Sequence, residues 1–324
     1  MRRLLALSLV LALTLALAPL AVPAFAQGYP NRPLRIIVPT PAGGPVDVMA
    51  RLLANALPAT LGQPVIVENR PGAGNTLGSR QAADAPPDGY TLMVSAASGI
   101  IISPLIYKTA GYDAASFASV ALIAETPQVL VVNPSLPAKT LAEFVALAKA
   151  NAGKLNYSTG GVGTVPHLSA ELFKTVTGTQ ILHVPYKGGG PSVASVVAGE
   201  SQWTFTPAAA VMSLIRSNRL RALGQSLPKR TPLLGDLPAI AETIPGFSYS
   251  GWYGVTAPKN TPKPVIDKLV MTLHKVAATP EFRELITAQA AEVVVDTPDE
   301  FRKFVIDDIA QTGKAVRAAG LKAE

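Results

Sequence analysis

The chain has 324 residues, a formal charge of +7, no cysteine, and charged side chains at only 15% of positions. Without cysteine there is no disulfide framework, no thiolate nucleophile and no thiolate-bound metal. The positive excess is dilute, and no basic cluster beyond the first residues is longer than a pair such as Lys229-Arg230, so the patch or stripe that nucleic-acid binding needs is missing; the excess either helps collect small anions or is ordinary surface composition.

Residues 1–26 carry the parts of an export signal: Arg2-Arg3, an apolar run over 4–17, and Ala24-Phe25-Ala26 before Gln27. The run is short for a membrane span, and Pro19 and Pro23 follow it. Cleavage near Ala26 is expected, with no cysteine after it to carry a lipid. The remaining residues, 27–324, are enough for two cores. Export without cysteines fits a Gram-negative periplasm better than a small secreted scaffold.

Leu34–Val38 is apolar and β-branched, which predicts a strand. Pro39 and Pro41 end it, Gly43-Gly44 permit a tight turn with exposed amides, and Pro45 opens a helix with Val46, Met49, Leu53 and Leu57 on one face. A strand running through glycines into a helix start presents unpaired amides and a positive dipole end beyond the sheet edge. The same device recurs at 70–76 and 158–169, and such loops suit the grip of a small anion.

Further strands are expected at 64–68, 90–94, 120–123 and 128–132, with helices ending at Ala83 and covering 100–107. Thr140 and Glu143 form a capping box for a helix carrying Leu141, Phe144, Val145 and Ala148. A strand at 155–158, a Gly-rich loop over 159–164, a helix over 166–176, a strand at 180–186, the Gly188-Gly189-Gly190 loop and a helix over 191–198 follow. Next come a strand at 201–206, a helix over 207–218 and a strand at 220–225; the Pro-punctuated stretch 226–246 reads as a return path. From Phe247 the pattern is strand through Val255, then helices over 262–276 and from Pro280, a strand at 292–295, and a long last helix. That helix starts at Thr297-Pro298-Asp299-Glu300, an N-cap with Pro at N1 and Glu at N3. Strand alternating with helix predicts an α/β chain with mostly parallel sheets covered on both faces.

Asp47 lies in the first turn of its helix, where the dipole and local amides favour a carboxylate. It serves equally well as a polar gatekeeper that accepts hydrogen bonds from a ligand or an ordered water, with the anion itself held by neighbouring amides. Ser158-Thr159-Gly160-Gly161-Val162-Gly163-Thr164 has the glycine content of a phosphate cradle but not the G-x-x-x-x-G-K-[ST] spacing, so nucleotide hydrolysis lacks support; the run suits a carboxylate or is a tight junction. His167, His183 and His274 form no H-E-x-x-H; His167 reads as packing or capping near its loop and His183 as structural. There is no G-x-S-x-G elbow, and no serine has a base partner in sequence. Lys187, before three glycines, either puts a cation at a cleft rim or is a solvated lysine. Trp252 reads as a core anchor more readily than as a cleft wall, and Trp203 with Phe205 as one sheet face.

Several separated motifs occur in order: Tyr29-Pro30-Asn31-Arg32-Pro33, PAGG-x-x-D over 41–47, Gly62-Gln63-Pro64, Glu68-Asn69-Arg70-Pro71-Gly72-Ala73-Gly74, Pro87-Asp88-Gly89-Tyr90-Thr91-Leu92, His183-Val184-Pro185-Tyr186-Lys187-Gly188, and Trp252 with Ala257-Pro258. Over nearly the whole mature chain they resemble the periplasmic solute-binding proteins of tripartite tricarboxylate transporters, known in one group of bacteria as Bug proteins. The resemblance implies a two-domain, hinged periplasmic-binding-protein fold (type II-like) with two mostly parallel mixed sheets flanked by helices. Residues 27–126 and 247–324 would form one domain and 127–246 the other. It implies a carboxylated ligand (a dicarboxylate, tricarboxylate, acidic amino acid or aromatic acid) held in the cleft by loop amides and ordered waters. It further implies delivery to a membrane permease with a large and a small subunit, and no catalytic residue, metal, cofactor or nucleic acid; a monomer is expected.

Carried onto this chain, the resemblance assigns contacts to Ala42, Gly43, Gly44 and Asp47 in the first domain and to Ser158, Thr159, Gly160, Thr164 and His167 in the second. Ser95 and Ser98 at a small-residue junction, Lys187 and Thr206 complete the candidate set. The chain departs from its relatives at Ser195, where Asp is common, and at Gln202 and Thr206, which stand where G-x-V-D-x-x-F-D has acidic residues. Loss of a negative charge at a cleft-facing position 206 would favour a more anionic or more apolar ligand. Two other readings are a ligand-binding component of a periplasmic signalling system and an enzyme of the same two-lobed shape acting on a small acid. The enzyme has no readable nucleophile–base pair or metal set.

Overall fold

The computed structural model describes residues 28–321, and the export signal expected over 1–26 lies outside the described residues. The strands are β1 (Leu34–Val38), β2 (Val65–Asn69), β3 (Thr91–Ser95), β4 (Phe117–Thr126), β5 (Gln128–Val132), β6 (Asn156–Thr159), β7 (Leu182–Pro185), β8 (Trp203–Pro207), β9 (Arg221–Gln225), β10 (Gly251–Pro258) and β11 (Glu292–Val293). The helices are α1 (Pro45–Ala56), α2 (Pro58–Leu61), α3 (Thr76–Ala83), α4 (Ser103–Ile106), α5 (Leu141–Ala150), α6 (Val165–Thr177), α7 (Gly189–Ala198), α8 (Met212–Arg216), α9 (Ile240–Thr243), α10 (Lys263–Ala277), α11 (Pro280–Ala288) and α12 (Pro298–Ala318).

Two sheets form, in the orders β11-β4-β10-β3-β1-β2 and β7-β6-β8-β5-β9. The parallel pairing expected from strand–helix alternation holds for β1 with β2 and β3, and for β6 with β7 and β8. The strands next to the crossings pair antiparallel: β10 with β3 and β4, and β5 with β8 and β9. Both sheets are therefore mixed. β4 and β5 are separated only by Pro127, which has no N–H for a ladder, so the chain leaves one sheet and enters the next within a residue.

Each sheet is covered on both faces, and its inner strands show it in sequence. Leu130 and Val132 of β5 face one apolar cluster with Phe144, Phe173, Trp203 and Phe247, while Val129 and Val131 face another with Val193, Val196 and Val211. Such a strand is apolar at every position because alternate side chains enter different cores. In the first lobe α1, α10 and α11 cover one face. On the other face Ile100, Ile101, Trp252, Phe301 and Val305 pack together with Leu168 of α6, which comes from the second lobe. The Phe247 ring packs with Phe173 and Phe205 of the second lobe, whereas Tyr249 packs in the first and its hydroxyl lies 2.9 Å from the Thr312 hydroxyl of α12.

Some local expectations shift. β4 is ten residues long, not four. The helix expected over 100–107 is a π-type turn, Ser98–Ile102, followed by α4. Gly189 and Gly190, expected in a loop, form the first turn of α7. The helix expected over 207–218 divides at Val211 (φ −128°, ψ −8°) into a 3-10 turn and the short α8.

Candidate functional site

The parallel strands β1, β2 and β3 deliver the loops 39–44, 70–75 and 96–102 to one edge of the first sheet. In the second sheet β6, β7 and β8 deliver 160–164, 186–188 and 208–211 to one edge in the same way. These two edges approach one another through Ile106 of the first lobe and Gly163 of the second, while Tyr107 packs over Gly74 within the first lobe. A Cβ added at Gly163 would lie 3.5 Å from the Ile106 Cδ1, and one added at Gly74 would lie 2.3 Å from the Tyr107 ring. The crevice outside the carboxyl ends of the strands is where open α/β sheets hold ligands.

The first loop is closed by its own side chains. Asp47 is 2% exposed, and both its oxygens are used. Oδ2 accepts the Gly43 amide at 2.8 Å and the Arg51 Nε at 2.9 Å, and Oδ1 accepts the Asn69 Nδ2 at 2.9 Å. Burial alone would raise this carboxyl; the bonds from Arg51, Gly43 and Asn69 outweigh it and hold Asp47 below its ordinary value. Gly43 has φ +79°, in the left-handed region, which lets its N–H turn inward. The Gly44 amide donates to the Pro41 carbonyl at 3.4 Å. Ala42 is exposed, and its amide has no partner among the described residues.

The second loop is also tied internally. Gly160 passes so close to the 188–189 backbone that an added Cβ would lie 2.8 Å from the Gly189 nitrogen. The Thr159 hydroxyl lies 2.7 Å from the His183 Nε2, and the Thr164 hydroxyl donates to the Gly161 carbonyl at 2.8 Å. The Gly163 amide donates to the Nδ1 of His167 at 3.1 Å, which places the ring proton on Nε2. Burial, then the neighbouring His183, push His167 down to about 4, and burial lowers His183 as well. Both rings are therefore neutral near pH 7. Ser158 is fully buried, with its hydroxyl donating to the Ser192 carbonyl at 2.9 Å.

The remaining candidates are spread around the same edges. Ser95 is buried at the end of β3, and Ser98 begins the π-type turn. Thr206 is buried near the end of β8, opposite Val129, and Lys187 is exposed on the loop after β7. Gln202 is used by the backbone, accepting the Asn156 amide at 2.8 Å, and the Ser195 hydroxyl donates to the Ser192 carbonyl. Trp252 is 1% exposed and donates to Asp308 at 2.7 Å, a core anchor. Among the described residues no group of three or more His, Cys, Asp or Glu is placed to hold a metal. Sequence reasoning missed Arg51 and Asn69 as partners of Asp47. Both signals were present, Arg51 four positions on in the same helix and Asn69 inside the NRPGAGN run.

Among the described α-helices, the starts that carry a side-chain cap all lie away from the crevice. The helices α5, α11 and α12 receive a side-chain cap from Thr140, Thr279 and Thr297. The helices that begin at the crevice edges, α1, α3, α6 and α7, have none; α10 and the short helices α2, α4, α8 and α9 also start without one. In α1 and α6, proline occupies one of the first positions, and the remaining first-turn amides have no intrahelical acceptor. Such ends favour anions.

The family model for the tripartite tricarboxylate transporter family receptor matches residues 49–321. Protein BugT of Bordetella pertussis is 38% identical over 329 residues, covering 99% of this chain and 99% of its own. An R. palustris protein solved with adipate has a TM-score of 0.77 at 32% identity, covering 91% of this chain and 100% of that one. MatC from Rhodopseudomonas palustris, solved with bound malate, has a TM-score of 0.73 at 29% identity, covering 89% and 100%. The fold and these matches agree: the chain belongs to the TctC/Bug family, the receptors of tripartite tricarboxylate transporters.

Proposed function

We propose that this protein captures a small carboxylate, most simply a dicarboxylate, between its two lobes in the periplasm and hands it to the membrane permease of a tripartite tricarboxylate-type transporter. The observation that carries the reading is the set of helix starts without side-chain caps at the two facing edges, α1 and α3 on one and α6 and α7 on the other. Relatives solved with adipate and with malate support the ligand class. An anion that accepts from both lobes at once favours the closed arrangement, because it binds that state more tightly than the open one. The hinge would lie at Pro127 and between Phe247 and Tyr249. Ala42, with the first-turn amides of α1 and α6, would make the direct contacts; Asp47, Thr159 and His167 would hold the loops that present them.

A thermal-shift screen over adipate, malate, tricarboxylates, acidic amino acids and aromatic acids tests the reading, with calorimetry on any hit. A ligand at a hundred times its Kd stabilises by about 2.7 kcal/mol, which such a screen resolves. Mass spectrometry of the bound molecule separates the alternatives. Conversion of the acid would point to an enzyme, and co-purification with a receptor in place of a permease would point to signalling. No stabilisation by any carboxylate would remove the reading.

A further inference from the structure

The bonds around Asp47 close into a ring. Asn69, the last residue of β2, donates from one Nδ2 to the Asp47 Oδ1 at 2.9 Å and to the Thr40 carbonyl at 3.2 Å. Its Oδ1 accepts from the Arg51 guanidinium at 3.2 Å, and the same guanidinium returns to the Asp47 Oδ2 through Nε at 2.9 Å. A fifth bond, from the Gly43 amide to the Asp47 Oδ2 at 2.8 Å, joins the loop to the ring. The loop 40–44 is therefore held at two points, Thr40 by Asn69 and Gly43 by Asp47, and both points trace back to the end of β2. The backbone adds a third tie there, from the Arg70 amide to the Val38 carbonyl at 2.8 Å.

The ring also settles a problem of charge. A buried carboxylate at a helix start that serves an anion would repel that anion, and the effect is strong where water is excluded. The Arg51 guanidinium on Asp47 makes the pair neutral overall, and the pair faces its own loop. We propose that Arg51 and Asn69 are positioning residues of the binding site: Asn69 fixes the shape of loop 40–44, and Arg51 cancels the Asp47 charge so that an anion meets amides and not a carboxylate. This inference rests on the carboxylate-capture reading and divides two roles that one contact map would merge.

The two roles respond differently to the charge of the ligand. Arg51→Gln keeps a donor but removes the charge, so it weakens a dianion more than a monoanion, and salt narrows the gap. Asn69→Ala removes two donors and one acceptor without changing charge, so it weakens both ligands alike. The probes are adipate and its monomethyl ester, measured by calorimetry at low and high salt, with hydrogen exchange of the Gly43 amide followed in the ligand-free protein. The expected result is about a tenfold loss of adipate affinity in each variant. In Arg51→Gln the loss is smaller for the monoester and smaller at high salt; in Asn69→Ala it is equal for both ligands, and Gly43 exchange accelerates. Arg51→Lys, which restores the charge, recovers much of the dianion preference. A general structural defect would not sort the ligands by charge. Unchanged adipate affinity in both variants overturns the proposal, as does an Arg51→Gln loss independent of ligand charge and salt. If the wild type binds neither acid, the capture reading is decided by the wider carboxylate screen and the Gly43 amide decides the clamp: faster exchange in Asn69→Ala, or in the milder Asn69→Ser, upholds it, and unchanged exchange overturns it.

Discussion

The imidazole of His167 lies flat against that of His183, with ring centroids 4.2 Å apart and planes 24° apart. The Tyr157 ring in turn stacks on His183 at 4.8 Å. Tyr157 donates to Glu171, and Glu171 also pairs with Lys174 at 2.7 Å. The stack supports the Gly-rich loop from behind, since His167 accepts the Gly163 amide and His183 meets the Thr159 hydroxyl.

A pH dependence follows from this support. Folding depresses His167 from 6.5 to about 4, so on acidification the unfolded chain takes up its proton first. The stability is complete above about pH 6.5 and is lost as pH falls towards 4; on the order of 3 kcal/mol is at stake. Asp296 shifts the opposite way, raised by burial to about 6, and stabilises the fold as pH falls over part of the same range; His183, lowered by burial, and Glu125 and Asp308, raised by it, add to the same wild-type slope. The informative quantity is the difference between variants. His167→Gln keeps an acceptor for Gly163 but cannot charge, and its melting temperature should fall less than the wild type's between pH 6.5 and 4. Parallel slopes in the two proteins would assign the titration elsewhere.

Glycine positions in the second loop separate close packing from mere flexibility. A Cβ on Gly160 would meet backbone, the Gly189 nitrogen at 2.8 Å and the Gly188 carbonyl carbon at 2.9 Å, while one on Gly189 meets nothing within 4 Å. Gly160→Val should therefore push the two loops apart, lower the melting temperature and weaken ligand binding about tenfold or more. Gly189→Ala, inside α7, should leave stability equal or raise it by up to about 1 kcal/mol. Denaturant unfolding with calorimetry on both variants checks the pair, and equal behaviour would mean that the approach of Gly160 to 188–189 is not needed for binding.

The sequence was most legible where the signal is local. The box of Thr140 with Glu143 and that of Thr297 with Glu300 each lie within four residues, and both form as expected. Leu34–Val38 was readable because a run apolar on both faces has few other uses. The role of Asp47 was not readable, since the group that takes its Oδ1 is Asn69, 22 positions away, and either reading satisfied the local helix start. Ser158 showed the same difficulty: whether its hydroxyl faces the crevice or α7 depends on Ser192, 34 positions on. The break at Val211 lay hidden because Ala208, Ala209 and Ala210 are good helix formers, and nothing near them announces the 3-10 turn.

A polar pair, buried at its indole and half-buried at its carboxylate, ties β10 to α12. Trp252 donates its indole N–H to the Asp308 Oδ2 at 2.7 Å, and the Thr312 hydroxyl lies 3.2 Å from Oδ1. Burial raises the Asp308 carboxyl, and these two bonds oppose the shift. Trp252→Phe keeps an aromatic ring but leaves this carboxylate short of a donor, which should cost about 2–3 kcal/mol in urea unfolding. Adding Asp308→Leu removes the stranded acceptor, so the double variant should lose less than the sum of the two single ones. Strict additivity would show that the bond contributes nothing of its own.

Helix starts offer the sharpest contrast between holding the fold and holding a ligand. Thr297 caps α12 by accepting the Glu300 amide at 3.3 Å, and Glu300 returns a bond to the Thr297 amide at 2.9 Å. Thr164 occupies the equivalent place before α6, yet its hydroxyl donates backwards to the Gly161 carbonyl and leaves the first-turn amides open. Thr297→Ala should therefore cost about 1 kcal/mol of stability and leave ligand affinity unchanged, because α12 is already closed at that end. Thr164→Ala should do the reverse: it loses no cap, so stability moves little, but it frees the Gly161–Gly163 turn that leads into the proposed anion site at the start of α6, and affinity falls. Calorimetric affinities beside denaturation midpoints for both variants decide the matter. If Thr164→Ala destabilises as much as Thr297→Ala while binding as tightly as the wild type, the start of α6 is an ordinary helix end and not part of the anion's surroundings.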